Sequence, residues 1–247
     1  MKTLLISNST NAGEAYLGWV KDTIIDYCSK HNVKRALFVP YAGVNVGQDF
    51  EGKTIKDSYD LYFERVKGVL QNENLTIEMI SEQPLKDVEN AECIIVGGGN
   101  TFHLVAALHE LNLMEAISKK VKEGMPYIGW SAGANIACPT MKTTNDMPII
   151  EPKSFNTLNL VPFQINPHYL DANPAGHGGE TREDRIREFL VVNPAITVVG
   201  LREATAFLIE GNKISLIGDR KLRVFRYKRE AEELSAGDDL QFLLATP

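Results

Sequence analysis

The residues whose spacing suggests chemistry most directly are Gly129-Trp130-Ser131-Ala132-Gly133. A Gly-x-Ser-x-Gly run between an apolar strand and a helix-compatible stretch places a serine on a sharp turn, where only small neighbours avoid a clash. Such a turn exposes the hydroxyl, and a following helix N-terminus favours negative charge beside it. Here the run follows the apolar segment Pro126–Trp130 and leads into Ala132-Gly133-Ala134. The competing reading is a glycine-flanked turn with an incidental serine. The strand before and the small residues after favour a nucleophile.

A serine hydroxyl attacks a carbonyl only when a base takes its proton. The chain offers His31, His103, His109, His168 and His177. His31 lies in a polar turn, and His103 and His109 fall on a helical segment suited to packing or surface roles. His177 sits in Gly176-His177-Gly178-Gly179, a flexible setting for a base that must be held rigidly. His168, just past the strand-like piece Val161–Asn166, is the stronger candidate. A carboxylate should orient the imidazole; Asp146, Asp171, Glu180 and Glu203 are available. Glu203 follows the apolar run Ile196–Leu201 at a strand's carboxyl end, which favours it among the four; a surface salt bridge is the alternative.

Acyl transfer also needs two N–H donors aimed at the developing oxyanion. One is expected from Ala132, the residue after the nucleophile. The other is expected from Gly97-Gly98-Gly99-Asn100, with Gly99 as the donor, because glycines let a backbone approach a substrate closely. A phosphate-binding turn is a weaker reading, since neither the Gly-x-Gly-x-x-Gly nor the Walker spacing is present. A plain strand-to-helix turn is the other alternative. Further along, Arg182, Arg185 and Arg187 share the helical stretch Thr181–Val191. Arg182 falls on the face of the apolar stripe Ile186, Phe189 and Leu190. It also lies in the first turn, where the helix dipole disfavours a cation. An inward, dipole-opposed arginine suggests a bound anion; an ion pair with Glu183 or another surface acid is the alternative.

The elements that must position these groups alternate. Strands are expected at Thr3–Ser7, Arg35–Pro40, Thr76–Met79, Glu92–Val96 and Pro126–Trp130. Helices are expected at Tyr16–Ser29, where Leu17, Val20, Ile24, Ile25 and Cys28 stand at helical spacing, at Asp57–Gln71 and, as one or two, at Leu104–Glu123. This order predicts an α/β fold with a mostly parallel central sheet flanked by helices on both faces. Functional residues then gather at the strands' carboxyl ends, at Ser7–Thr10, Gly97–Thr101 and Ser131–Asn135. Residues 138–180 are rich in Pro, Asn, Gly and Thr, as functional loops often are. After the Thr181–Val191 helix come short strands at Ile196–Leu201, Ala206–Glu210, Lys213–Gly218 and Leu222–Tyr227. The turn signal Glu210-Gly211-Asn212-Lys213 predicts antiparallel pairing near the C-terminus. Residues 1–247 are expected to form one domain.

The net charge is −6, from 26 basic and 32 acidic residues. No basic stripe suggests nucleic acid as a partner, so an acidic ligand requires a local cation. Cys28, Cys93 and Cys138 have no disulfide or zinc spacing and fit buried thiols in a reducing compartment. No stretch has the length of a membrane span, and the N-terminus lacks a signal pattern. A cytoplasmic protein is expected.

The order Ser, His, Glu differs from the Ser, Asp or Glu, His of ordinary α/β-hydrolases. It is the order of class I glutamine amidotransferase-like folds, with serine in place of cysteine. Five segments then resemble the peptidase E family, α-aspartyl dipeptidases related to cyanophycinase. They are Ile95–Phe102, Gly129–Asn135, Thr143–Pro148, Gln164–His168 and Gly179–Arg182. The likeness runs in order from Ser7 to about Glu203; after Glu203 the chain reads Ala204-Thr205-Ala206, where the family more usually has a glycine and an aromatic. The resemblance implies a catalytic set of Ser131, His168 and Glu203, with Asp146 as the alternative third member. It implies substrate contacts from Arg182, Asn100 and Asp146, and hydrolysis of dipeptides with N-terminal aspartate. No metal or cofactor is called for. The expected partner is a small acidic peptide, with a homodimer left open. The rivals are a cyanophycinase-like activity on β-linked Asp-Arg, a non-catalytic binding protein on the same scaffold, and a metalloenzyme using His168, His177 and Glu180.

Overall fold

The structure is a computed structural model that describes residues 1–45, 54–173, 176 and 178–245. The chain runs β1 (Lys2–Ile6), α1 (Lys21–Lys30), β2 (Arg35–Val39), α2 (Ile55–Leu70), β3 (Thr76–Met79), α3 (Pro84–Asn90), β4 (Ile94–Val96), α4 (Thr101–Glu110), α5 (Leu113–Lys122), β5 (Tyr127–Trp130) and α6 (Ala132–Asn135). It continues with β6 (Gln164–Pro167), α7 (Arg182–Val192), β7 (Val198–Leu201), β8 (Ala206–Glu210), β9 (Lys213–Ile217), β10 (Leu222–Phe225), β11 (Glu232–Leu234) and a 3₁₀ turn at Gln241–Leu244.

The main sheet has the order β3-β2-β4-β5-β1-β8-β9. Its first five strands pair in parallel, while β8 and β9 run antiparallel. Successive side chains on a strand point to opposite faces, and the core divides accordingly. Leu4, Ile6, Phe38, Ile95, Ile128 and Trp130 pack on one face with α1 and α2 residues such as Ile24, Tyr27, Tyr62 and Val66. Leu5, Leu37, Val39, Ile94, Val96 and Tyr127 pack on the other with Leu104, Leu108, Ile117 and Val121 from α4 and α5. The expected α/β architecture is therefore present.

A second sheet, β11-β10-β7-β6, stands apart from the first, which the short apolar runs of the sequence do not reveal. In it β6 and β7 are parallel, with Pro167 opposite Leu201. Helix α7 covers it through Ile186 and Leu190, packed with Tyr169, Val198 and Phe225. Two other expectations shift. The first helix begins at Lys21 rather than Tyr16, because Leu17 takes a left-handed φ of 58° and its N–H bonds the Ser9 carbonyl. Leu17 and Val20 are nevertheless fully buried, so their spacing reports burial in a turn. The short α3, with Pro84 in its first turn, escaped the periodicity altogether. Among the described residues no helix is long and apolar enough to cross a membrane.

Candidate active site

Strand β5 ends at Trp130, and Ser131 turns into α6 with φ 54° and ψ −110°. The two flanking glycines are required by contact. A Cβ on Gly129 would lie 2.4 Å from the Gly133 carbonyl oxygen, and one on Gly133 would lie 2.2 Å from the Val96 carbonyl oxygen. Helix α6 spans only Ala132–Asn135. Its dipole is therefore small, and what it presents beside Ser131 is the Ala132 N–H.

His168 follows β6 with φ 51°. Its Nε2 is 2.9 Å from Ser131 Oγ, and its Nδ1 is 2.9 Å from Glu203 Oε1. A carboxylate can only accept, so the imidazole donates from Nδ1 to Glu203 and Nε2 accepts from the Ser131 hydroxyl. The in-register pairing of β6 and β7 brings the two together, since His168 stands one residue past Pro167 and Glu203 two past Leu201. His168 and Glu203 side chains are 39% and 38% exposed, so the pair is open to solvent.

The other candidates have other partners. His31 contacts Glu210, His103 the Tyr41 carbonyl, and His109 the Asn156 carbonyl; His177 lies outside the described residues. Asp171 is held by Arg202 through both carboxylate oxygens, and Glu180 is 3.8 Å from Arg185. Asp146 Oδ2 accepts from the Thr101 N–H at 2.8 Å, the Thr101 hydroxyl at 2.5 Å and the Thr144 hydroxyl at 3.0 Å. It thus ties the loop after α6 to the start of α4. Among the described residues no group of three or more His, Cys, Asp or Glu could hold a metal. Both ring nitrogens of His168 are already engaged by Ser131 and Glu203. The thiols are buried, and burial pushes that of Cys138 up to about 12, far from a thiolate nucleophile at neutral pH.

The Gly97–Asn100 turn abuts the serine. A Cβ on Gly98 would lie 2.9 Å from Ser131 Cβ, and Gly99, at φ 135°, leaves no room for one beside the Ala42 carbonyl. Tyr62 fixes this turn by donating its hydroxyl to the Gly98 carbonyl at 2.9 Å while accepting from the Trp130 indole at 3.0 Å. The N–H groups of Gly98, Gly99 and Ala132 have no acceptor among the described residues. Asn100 caps α4: its Oδ1 accepts from the His103 N–H, and its Nδ2 donates to the Met147 carbonyl.

Arg182 opens α7 and is half-buried. Its guanidinium donates to Asn145 Oδ1, and no carboxylate lies within ion-pair distance among the described residues. Glu183 is taken by Arg187 and Arg223 instead, which removes the expected competing partner. Burial, and then the neighbouring Arg185, hold the Arg182 pKa below the usual arginine range, with Asp146 opposing. Asn145 went unnoticed in the sequence. Its Nδ2 donates to the Pro167 carbonyl and its Oδ1 also accepts from Asn166, so it joins Arg182 to the strand end that carries His168. The only signal was its place in Thr143-Thr144-Asn145-Asp146.

Residues 3–217 match the model of Peptidase family S51. The chain is 48% identical over 245 residues to Peptidase E of Nostoc sp., covering 98% of this chain and 96% of the relative. It is 44% identical over 247 residues to Peptidase E of Streptomyces coelicolor, covering 99% and 95%. Among solved structures, a protein described as peptidase E from Listeria monocytogenes EGD-e superposes with a TM-score of 0.61 at 22% identity, covering 88% of this chain and 98% of that one. A peptidase from an acI-B1 Actinobacterium gives 0.64 at 17%, covering 96% and 95%. A serine on a glycine-lined turn, hydrogen-bonded to a histidine, is what a serine-type hydrolase of this kind requires, and the chain belongs to the S51 family of peptidases, that of peptidase E.

Proposed function

We propose that the chain is a serine-type dipeptidase that releases N-terminal aspartate from Asp-Xaa through an acyl-enzyme on Ser131. The observation that carries the specificity is Arg182, a half-buried guanidinium without a carboxylate partner among the described residues, in a chain of net charge −6. A planar guanidinium meets a carboxylate with two parallel bonds, and the substrate's aspartyl side chain supplies that carboxylate. Asp146 follows Asn145, the residue that Arg182 binds, and its Oδ1 is uncommitted among the described hydrogen bonds. It is the acceptor for the substrate's α-ammonium.

With substrate held this way, His168 Nε2 takes the Ser131 proton as Oγ attacks the peptide carbonyl. Glu203 holds the Nδ1 tautomer and stabilises the imidazolium. The N–H groups of Gly99 and Ala132 receive the oxyanion. His168 then protonates the leaving amine, and water, deprotonated by the same imidazole, resolves the acyl-enzyme.

Hydrolysis of Asp-Leu, Glu-Leu, Asn-Leu and β-Asp-Arg by the wild type and by Ser131→Ala tests this reading. Asp-Leu should be cleaved fastest, and Ser131→Ala should cleave none of them above background. Preference for β-Asp-Arg would favour the cyanophycinase-like activity. Undiminished turnover in Ser131→Ala would end the proposal.

A further inference from the structure

The three loops that carry Ser131, His168 and Glu203 share an anchor. Ser131, His168 and Ala204 have positive φ values of 54°, 51° and 61°. None is glycine, so each holds a backbone conformation that must be stabilised by its surroundings. The N–H of each donates to one of three consecutive residues at the end of β1. Ser131 N–H donates to the Ile6 carbonyl at 3.0 Å. His168 N–H donates to Ser7 Oγ at 3.0 Å, and Ala204 N–H donates to Asn8 Oδ1 at 2.8 Å. The Ser7 hydroxyl in turn donates to the Leu201 carbonyl at 2.7 Å, and its N–H to the Thr205 carbonyl at 3.0 Å. Ser7 therefore grips the β6 loop and both sides of the Glu203 turn. Asn8 is itself fixed, donating from Nδ2 to Thr10 and Asn11 and accepting the Trp19 indole N–H at its carbonyl. Ser7 and Asn8 are fully buried.

We propose that Ser7 and Asn8 are positioning residues for catalysis. Resting on the reading of Ser131, His168 and Glu203 as the catalytic relay, this assigns the end of β1 the task of setting the imidazole against both its partners. The hydroxyl of Ser7 accepts from the His168 N–H and donates to the carbonyl of Leu201, the last residue of β7 and two residues before Glu203. A buried serine that served stability alone would affect folding and leave the relay's coupling intact.

The test is the kinetics of Ser7→Ala and Ser7→Cys on Asp-Leu, each in the wild-type and Glu203→Gln backgrounds, with thermal melts to confirm folding. Displacing a catalytic group by a fraction of an ångström to one ångström costs on the order of 10- to 100-fold in rate. Ser7→Ala should therefore lower kcat by roughly that factor with KM unchanged. Ser7→Cys, whose thiol is a weak donor and acceptor, should fall between, and it carries the test should Ser7→Ala not fold. In the Glu203→Gln background the same substitutions should cost less than about three-fold, because groups acting as a unit are non-additive. An unchanged kcat, a loss confined to KM, or the full loss repeated in the Glu203→Gln background would overturn the proposal while leaving the relay standing. If Ser131→Ala retains turnover, the relay fails and this inference with it.

Discussion

If Arg182 grips an aspartyl side chain as proposed, replacing it by alanine should erase the resulting preference for aspartate without weakening the fold. In the structure the guanidinium is half-buried and bonded to Asn145, with no acid within ion-pair reach among the described residues. A hydrogen bond to a charged group contributes about 1.5–3 kcal/mol. The site is partly open, so a net loss of about 2–3 kcal/mol is expected for an Asp substrate, roughly 30- to 150-fold in kcat/KM. The loss should appear mainly in KM, because an aspartyl side chain held in the proposed way would be gripped alike in the ground and transition states. Asn-Leu, which brings no charge, should change by less than about three-fold. Arg182→Lys should retain part of the preference, since an ammonium is a point charge without the fork. Stability gives an independent check. Burial and Arg185 disfavour the charged Arg182 in the folded state, so removing it should leave the melting temperature at or above that of the wild type. Such a trade of stability for function is common at binding sites. The assay is steady-state hydrolysis of Asp-Leu against Asn-Leu, with a thermal melt on the same samples. An Arg182→Ala protein that still prefers Asp over Asn by the wild-type ratio would refute the reasoning.

Other outcomes follow from the same geometry. Glu203→Gln should lower kcat on the order of 10³-fold, less than the roughly 10⁴-fold seen when a buried triad aspartate is lost, because Glu203 is 38% exposed; steady-state kinetics checks it. Gly133→Ala should destabilise by about 3 kcal/mol or more, since its Cβ would meet the Val96 carbonyl at 2.2 Å; chemical denaturation measures this. The hydrogen bond from Arg202 holds the Asp171 carboxyl below the usual aspartate range. A folded pKa depressed below the unfolded one gives stability that is fully present above the unfolded pKa, about 3.9, and lost as pH falls through the folded value. Wild-type melting temperatures should fall below about pH 4, and Asp171→Asn should flatten part of that decline.

The elbow was legible because its demands are local. Gly129 and Gly133 are required by carbonyl oxygens a few residues away or on the adjacent β4, and the strand before them is an unbroken apolar run. The pairing of His168 with Glu203 was legible only as a preference. It depends on β6 and β7 lying side by side in a second sheet. Each of these strands has four residues, too short for periodicity to reveal the partner strand or the sheet. Arg182 could be placed facing inward from the α7 stripe, but its freedom from acids among the described residues could not. That depends on Glu183 finding Arg187 on its own helix and Arg223 on β10. Ser7 and Asn8 fall at one of the three strand ends marked for function, but what they hold there comes from 161 and 196 residues away. Leu17 and Val20 misled in the opposite direction, since helical spacing there marks burial in a turn rather than a helix.

The most direct test of the central claim is mass-spectrometric mapping of the adduct formed with a fluorophosphonate, together with its rate of formation. A single adduct on Ser131, absent from Ser131→Ala and formed far more slowly in His168→Ala, is the predicted result. Labelling at another residue, or at Ser131 with a rate indifferent to His168, would contradict an imidazole-activated serine.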